Sequence, residues 1–354
     1  MKAAFGNRSG SGFQLWDAAC ATVFNEINRA LRPMRYFSLA VDVDAIPEKY
    51  IDNLIKCVII KYESEGRVIV MMYDRKEKLM RIFEDTERFA IENPALALRA
   101  AEARHGTAFY AENDYPALPD RKEREGRVTV TRSRTFEAAT KLRADHPDWR
   151  ITVLNFASAT NPGGGVRRGS SVQEESLCRC STLYHAITRS DLWDVYYTVN
   201  RAAGNSLYTD ALIYTPGVTI CKTDEDYPRR LPQPDWVSVD VITCAAPNLS
   251  ATPGYARDRY GAEAVEVSAD QLYEIHRRRA NHILTVAASK GADALVLGAF
   301  GCGAFRNDPV VVARAYRDAL EAYGPFFSLI EFAIYCREYE TTNYDAFRTQ
   351  LCQA

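Results

Sequence analysis

The chain has 354 residues, of which 47% are hydrophobic and 25% are charged, a balance typical of a globular protein with one large domain and an accessory unit. Its 44 basic and 46 acidic residues leave a formal charge of −2, which excludes bulk attraction to nucleic acid or to an anionic membrane. Apolar runs are too short for a spanning helix and the first residues lack a secretory pattern, so we expect a cytoplasmic protein with no membrane contact. The nine cysteines are an odd number without zinc spacing, so we expect reduced thiols and no metal.

The first 85 residues predict a small α+β extension. Apolar residues at helical spacing predict a helix over 16–31. Two β-rich runs, at 57–63 and 67–74, are separated by Ser-Glu-Gly and predict a hairpin, and we interpret 78–85 as a further strand. No residue here carries a chemical pattern, so the role of the extension stays open.

The rest of the chain, 86–354, is predicted to form one catalytic domain in which strands and helices alternate. Helical composition at 87–104 is followed by an exposed connection at 110–127. Strands are then predicted at 127–131, 151–157, 211–220, 237–244, 294–299 and 328–336, and helices at 136–142, 173–187, 269–289 and 309–323. This alternation favours an α/β fold whose mixed or parallel sheet carries helices on both faces.

The predicted strand at 151–157 runs into three consecutive glycines, Gly163 to Gly165. Without Cβ atoms, this backbone can adopt positive φ and lie directly against a ligand. The helix that follows directs its N-terminal amides toward the same space, which suits an anion such as a diphosphate. The loop is not a nucleoside-triphosphate loop, because Ser170 stands where the lysine is required.

Two acidic residues, Glu174 and Glu175, begin that helix. Ser171 and Glu174 have the spacing of a capping box, which on spacing alone favours a structural role for Glu174. Glu175 lies about 160° from the apolar residue Leu177 at ~100° per residue, so it need not belong to the core. We therefore expect Glu175 to face a ligand, with one acid orienting a hydroxyl and the other moving a proton.

A second glycine-rich loop, containing Gly301 and Gly303, follows the predicted strand at 294–299. On its own, each of the two loops fits ligand binding and an ordinary strand-turn-helix connection equally well. Further candidates here are Phe300 and Phe305, to pack on a sugar or a base, and Asn307 or Asp308, to cap the next helix.

The helix predicted at 269–289 carries His276 and His282 beside three consecutive arginines, Arg277 to Arg279. Clustered charge on a helix is typical of a solvated face. A phosphate-facing patch is the less favoured interpretation.

Three runs of sequence together carry a family resemblance. NFASATNPGGG, followed by QEESLCRCSTLY, resembles the microbial-type branch of the poly(ADP-ribose) glycohydrolase family, within the macrodomain superfamily. GAFGCGAFRNDPVVVARAY is similar to the second ligand loop of that family, and VDVITCAAPNL to its intervening strand. The likeness covers about residues 104–351 and nothing before about residue 85. It implies a three-layer α/β/α macrodomain that needs no cofactor.

The resemblance implies a role for each residue of the two loops. Glu175 and Glu174 would be the catalytic pair, with Glu175 as acid and base, while Glu174 and Gln173 would position ribose hydroxyls. Asn161 or Ser158 would hold the distal ribose. The glycines Gly163, Gly164 and Gly165 would wrap the scissile ribose and diphosphate, and the second loop would cover the diphosphate with Gly301, Cys302, Gly303, Ala304 and Phe305, with Phe305 lying over the ribose.

The expected activity is hydrolysis of the ribose–ribose O-glycosidic bonds of poly(ADP-ribose), which releases ADP-ribose. Such cleavage passes through an oxocarbenium-like state and requires an acid and a base. Two alternatives remain open at this point: a non-catalytic ADP-ribose reader, and a hydrolase of single ADP-ribose units on protein or nucleic acid. The expected partners are ADP-ribose or its polymer and ADP-ribosylated proteins or nucleic acids.

Overall fold

A computed structural model of the chain describes the backbone of residues 39–41, 58–62 and 68–72, and residues 75–120, 123–250 and 265–352 with their side chains. The chain divides into two units, Met1–Arg75 and Lys76–Ala354. The helix expected over 16–31 lies outside the described residues.

The first unit contains a three-stranded antiparallel sheet. Its strands are β1 (Leu39–Val41), β2 (Val58–Tyr62) and β3 (Val68–Met72), in the order β1-β3-β2. Val58 of β2 lies opposite Met72 of β3, so the predicted hairpin is confirmed.

The run 78–85 is helical, and its interpretation as a strand was wrong. It lies within helix α1 (Arg75–Glu92), whose buried residues are Leu79, Phe83, Thr86 and Ala90. These positions follow each other at intervals of three and four residues, which is the period of a helix that packs on one face. The boundary expected after residue 85 therefore falls inside α1, and the second unit begins at Lys76.

The second unit continues with nine α-helical segments and seven strands among its described residues. The helices are α2 (Pro94–Gly106), α3 (Thr135–Asp145), α4 (Gln173–Cys180), α5 (Leu183–Ile187), α6 (Ser190–Leu192), α7 (Thr198–Ala202), α8 (Ala269–Ser289), α9 (Pro309–Tyr323) and α10 (Thr342–Leu351). The strands are β4 (Ala108–Tyr110), β5 (Arg127–Thr131), β6 (Ile151–Phe156), β7 (Leu212–Ile220), β8 (Val237–Cys244), β9 (Ala294–Leu297) and β10 (Leu329–Ala333). None of the helices in the described part of the chain is long and apolar enough to cross a membrane.

The seven strands form one mixed sheet in the order β4-β7-β8-β6-β9-β10-β5. Strands β8, β6, β9, β10 and β5 run parallel, and β7 runs antiparallel to both of its neighbours, β8 and β4. On β6, Leu154 packs with residues of α8 and α9, and Val153 packs on the opposite face with residues of α3 and α4. Alternate residues of a strand point to opposite faces, and the predicted three-layer α/β/α arrangement is confirmed.

Candidate active site

The two glycine-rich loops lie side by side because β6 and β9 are parallel neighbours. The carboxyl ends of parallel strands meet at one edge of a sheet, where α/β proteins bind ligands. A Cβ added to Gly298, just after β9, would lie 2.9 Å from the ring of Phe156 at the end of β6. The structure therefore brings together the two loops that the sequence singled out.

The first loop lies directly over the two acidic residues of α4. Gly164 has a φ of +57°, and a Cβ there would lie 2.6 Å from Oε1 of Glu175 and 3.0 Å from Oε2 of Glu174. The position requires glycine both because of its left-handed conformation and because no side-chain atom fits against the carboxylates.

Glu175 is 4% exposed, and its two carboxylate oxygens differ in their contacts. Oε1 accepts a hydrogen bond of 2.8 Å from the backbone N–H of Gly165. Oε2 is buried and has no hydrogen-bond partner among the described residues. Burial raises the pKa of Glu175, while the Gly165 N–H and the positive charge of Arg179 oppose that rise. One oxygen is thus held by the backbone, and the other is a buried acceptor without a partner among the described residues.

Glu174 is 2% exposed and has contacts for both of its oxygens. Oε2 accepts a hydrogen bond of 2.7 Å from the backbone N–H of Ser158, and Oε1 accepts a weaker one of 3.4 Å from Nδ2 of Asn155. Burial, and then the negative charge of Glu175, raise the pKa of Glu174 well above its ordinary value. Its side chain therefore joins α4 to the loop that leaves β6.

The capping box expected between Ser171 and Glu174 is wrong. Helix α4 begins at Gln173 with Val172 as its N-cap, and no side chain caps it. Glu174 turns instead toward the backbone after β6, a contact between segments 16 residues apart that the S-x-x-E spacing does not report.

Both polar atoms of the Gln173 side-chain amide make hydrogen bonds to residues of the fold. Its Oε1 accepts a hydrogen bond from the N–H of Phe156, and its Nε2 donates to Leu154 O and Thr135 Oγ1, at 2.8, 2.8 and 3.1 Å. These contacts fix the start of α4 against the end of β6. The ribose contact that the resemblance implies for Gln173 stays a prediction.

Ser158 and Asn161 form the turn that leads into the glycines. Ser158 Oγ accepts a hydrogen bond of 3.2 Å from the N–H of Asn161, and Asn161 O accepts one of 3.0 Å from Gly164 N–H. The side-chain Oδ1 of Asn161 accepts a hydrogen bond of 2.9 Å from Arg201. These hydrogen bonds do not test the predicted contact of Ser158 and Asn161 with the distal ribose, which stays a prediction.

Two residues of the site escaped the sequence analysis. Asn155 is fully buried at the end of β6, and a lone amide in an apolar strand is a signal that was available. Arg201 also binds Thr160 O, at 2.8 Å, and comes from a helical segment that was not predicted. Arg201 lies 40 residues after Asn161 in the sequence and outside every predicted element, so no sequence pattern indicated this contact.

The second loop is closed by a tight approach at Gly301. Its φ is +78°, and a Cβ there would lie 2.6 Å from Cβ of Ala246 and 2.9 Å from Nδ2 of Asn307. In the stretch that follows, Gly303 and Ala304 are exposed, and the N–H groups of Gly303, Ala304 and Phe305 donate no hydrogen bond to any described residue. Successive free N–H groups bind anions, so this stretch suits a diphosphate.

The aromatic and capping candidates of the second loop separate in the structure. Phe300 is fully buried and packs 5.6 Å from the ring of Phe156, so its candidacy as a ligand contact is wrong. Phe305 is partly exposed and remains a candidate. Asp308 is the cap of α9, because its Oδ1 accepts a hydrogen bond of 2.8 Å from Val310 N–H.

The solvated face expected for His276 and His282 is wrong. Both imidazoles are fully buried, and Arg279 between them is 1% exposed. Arg279 donates to Oδ1 of Asp210 at 2.8 Å, a partner far away in sequence. A buried cation needs such a partner, and local sequence does not reveal it.

The described residues contain no group of three or more His, Cys, Asp or Glu side chains that could hold a metal ion. Their seven cysteines are free, and Cys178 and Cys180 are buried. Burial raises the pKa of both of these thiols well above the ordinary value, so neither is an activated nucleophile.

Comparison with known proteins points to one enzyme family. The family model described as the catalytic domain of microbial-type poly(ADP-ribose) glycohydrolase matches residues 78–223. A search of curated proteins found no match.

Solved bacterial structures extend the match over most of the chain. The poly(ADP-ribose) glycohydrolase of Thermomonospora curvata is 30% identical with a TM-score of 0.64, and the match covers 78% of this chain and 98% of that one. The same enzyme bound to the inhibitor ADP-HPD is 31% identical over the same shares, also with a TM-score of 0.64. The glycohydrolase of Deinococcus radiodurans in complex with ADP-ribose is 37% identical with a TM-score of 0.60, and the match covers 71% and 96% of the two chains.

Proposed function

The chain belongs to the microbial-type poly(ADP-ribose) glycohydrolase family, and we propose that Glu175 is the general acid and base of its reaction. The protein is a poly(ADP-ribose) glycohydrolase: it hydrolyses the O-glycosidic bond between two riboses and releases ADP-ribose. The observation that carries the role of Glu175 is its buried Oε2, which has no partner among the described residues, on a carboxylate whose other oxygen lies under a loop built of glycines.

The reaction needs one proton to be delivered and one to be taken back. Glu175 in its protonated form gives its proton to the bridging oxygen, and the bond from that oxygen to the anomeric carbon breaks. The carboxylate then accepts a proton from the water that attacks the oxocarbenium-like carbon. The hydrogen bond from Gly165 fixes Oε1 throughout, so Oε2 is the oxygen that exchanges the proton.

Burial supports this assignment because it favours the neutral carboxyl group. The pKa of Glu175 is raised above its ordinary value, so a larger fraction of the acid remains protonated at a given pH. An acid of this kind is better matched to operating pH than an exposed glutamate.

We assign Glu174 a positioning role in the same site. Its contacts with Ser158 and Asn155 keep the end of β6 against the start of α4. A ribose hydroxyl that enters beside Gly164 meets this second carboxylate, which orients the sugar while Glu175 carries out the proton transfers.

We propose that the two loops hold the diphosphate from opposite sides. The glycines of the first loop allow close approach of the backbone, and the second loop offers the N–H groups of Gly303, Ala304 and Phe305. Phe305 is the aromatic side chain that remains partly exposed to cover the ribose.

The substrate class is tested by incubating the protein with poly(ADP-ribose), with protein-linked single ADP-ribose units and with nucleic-acid-linked single units, and by measuring free ADP-ribose. We expect release from the polymer and its loss in Glu175→Gln. Release from a single-unit linkage alone would show a mono-ADP-ribosyl hydrolase instead. Calorimetric binding of ADP-ribose without release from any of the three substrates would show a reader.

We further propose that this macrodomain enzyme acts in the cytoplasm on ADP-ribosylated proteins. The seven free cysteines of the described residues suit a reducing compartment. Fractionation of the cells that produce it, with the enzyme activity measured in each fraction, tests the location.

A further inference from the structure

Helix α8 has a buried polar face whose residues take no part in the proposed reaction. His276 is fully buried on this face, and its Nε2 lies 2.7 Å from Oδ1 of Asn307, at the end of the second loop. Its ring also packs edge-on against Phe300, with 5.8 Å between the centroids. The imidazole therefore lies directly behind the loop that we assign to the diphosphate.

The contacts of Asn307 fix the orientation of its amide. Its Nδ2 lies 2.7 Å from Pro247 O, 3.0 Å from Gly301 O and 3.2 Å from Phe305 O. Carbonyl oxygens only accept hydrogen bonds, so the NH2 group must face them and Oδ1 must face the histidine. His276 consequently donates from Nε2.

Two of those three carbonyls, Gly301 O and Phe305 O, lie on either side of the exposed residues Gly303 and Ala304. The same NH2 group reaches both. The third carbonyl, of Pro247, follows β8 and fastens the loop to the neighbouring connection. The amide thus sets the distance between these two residues, between which the N–H groups of Gly303 and Ala304 donate to no described residue.

Removal of the histidine donor would release this arrangement. Asn307 is 2% exposed, so Oδ1 would be left buried with no donor. An unpaired buried acceptor is costly, and rotation of the amide to avoid it would point oxygen at three carbonyls. Burial lowers the pKa of His276 to about 4, so the ring stays neutral and keeps its single donor hydrogen near neutral pH.

We propose that His276 is a positioning residue for substrate binding: through Asn307 it holds the second loop in the shape that receives the diphosphate. The inference rests on the proposed function of that loop. It concerns binding, because His276 touches neither carboxylate of α4 in any described contact. We therefore expect it to affect KM and the Kd of ADP-ribose more than kcat.

Three variants of the full chain test this role. His276→Phe keeps a buried ring but removes the donor, and we expect KM for the polymer and the calorimetric Kd for ADP-ribose to rise about tenfold with kcat nearly unchanged. His276→Gln places an N–H donor near the same point, and we expect it to restore most of the affinity. His282→Phe is the matched control, since His282 is equally buried on α8 but contacts Asp210 O and Asp114 O.

We call the hydrogen-bonded pair of His276 and Asn307 the clamp. The outcomes distinguish a role of the clamp in binding from a general effect of core packing and from a failure of the proposed function. A rise in Kd of equal size in His276→Phe and His282→Phe, or no rise in His276→Phe, would overturn the clamp and leave the proposed function intact. A wild-type protein that bound no ADP-ribose would overturn the proposed function itself. If His276→Phe does not fold, Asn307→Asp replaces it: that side chain cannot donate to the carbonyls, and we expect a larger loss of affinity, so wild-type affinity would contradict the clamp.

Discussion

The two glycine-rich loops reach the same edge of the sheet, but different groups lie behind them. The first loop covers two buried carboxylates, and the contact is so close that a Cβ at Gly164 would lie 2.6 Å from Glu175 Oε1. Behind the second loop lie the neutral amide of Asn307 and the neutral imidazole of His276. The first arrangement consists of two carboxyl groups that can gain or lose a proton, whereas the second consists of neutral groups that hold the backbone of the loop in one shape.

This difference predicts a division of labour. Changes in the first loop should lower kcat, because they alter the carboxyl group that exchanges the proton. Changes in the second loop should raise KM and leave kcat nearly constant, because they alter contacts made equally in the ground state and the transition state.

The largest effect is expected for Glu175→Gln. The amide retains an oxygen for the Gly165 N–H but cannot deliver or accept the proton, so kcat should fall about 10³-fold, within the usual range for a general acid and base. The Kd for ADP-ribose, measured by calorimetry, should stay within about threefold. A variant that hydrolysed the polymer at the wild-type rate would remove Glu175 from the mechanism.

Gly164→Ala should lower kcat by about 10²-fold, because the new methyl group displaces both carboxylates and small displacements of reacting groups are costly. The matched control is Gly291→Ala. Gly291 has a φ of +73°, but nothing lies within 4 Å of the position of its Cβ, so this variant reports the backbone strain alone. Steady-state kinetics of the two variants on polymer would contradict the account if both lost kcat equally.

Phe305→Ala should raise KM by about tenfold with little change in kcat, because the ring contributes stacking or packing against the bound nucleotide. Tyr339→Ala serves as the control, since its side chain is 74% exposed and lies outside both loops. A loss of kcat in Phe305→Ala as large as that of Gly164→Ala would end the division between the loops.

The pH dependence should follow the protonation of Glu175. Burial raises its pKa, so the protonated form that begins the reaction persists to higher pH than in an exposed glutamate. Since that form is lost as pH rises, kcat/KM should decline on the alkaline side of this raised pKa. A profile of kcat/KM against pH checks this, and a decline centred at or below the ordinary value of 4.5 would contradict the raised pKa.

The smallest effect is expected in stability. The pKa of Glu174 is raised in the folded protein, so between its ordinary value and the raised one the folded state binds more protons than the unfolded state. The free energy of unfolding must then decrease as pH rises through that window. Glu174→Gln, followed by urea unfolding at a series of pH values, should flatten this decrease, and an unchanged slope would assign the pH dependence to other groups.

Sequence pattern predicted those features that depend on local chemistry. The bounds of α8 and α9 match the predicted helices because their apolar periodicity is long and Ser268 and Asp308 cap them. The sequence also predicted the two glycine loops and the position of Glu175 beside the first of them. The family resemblance supplied the activity, which neither loop alone specifies.

The misses have a common physical cause, which is contact between segments distant in sequence. His276 reads as a surface residue until Asn307, 31 residues away, supplies its partner. Glu174 reads as a helix cap until Ser158 takes its carboxylate. Phe300 reads as a free aromatic until the ring of Phe156 covers it.

The most direct test of Glu175 as the residue that exchanges the proton is a crystal structure of the protein with ADP-ribose bound. We expect Glu175 Oε2 at hydrogen-bond distance, about 2.6–3.2 Å, from the anomeric hydroxyl of the distal ribose, with the diphosphate against the N–H groups of Gly303 and Ala304. A complex in which Oε2 points away from the anomeric carbon, or is occupied by a protein donor, would contradict it.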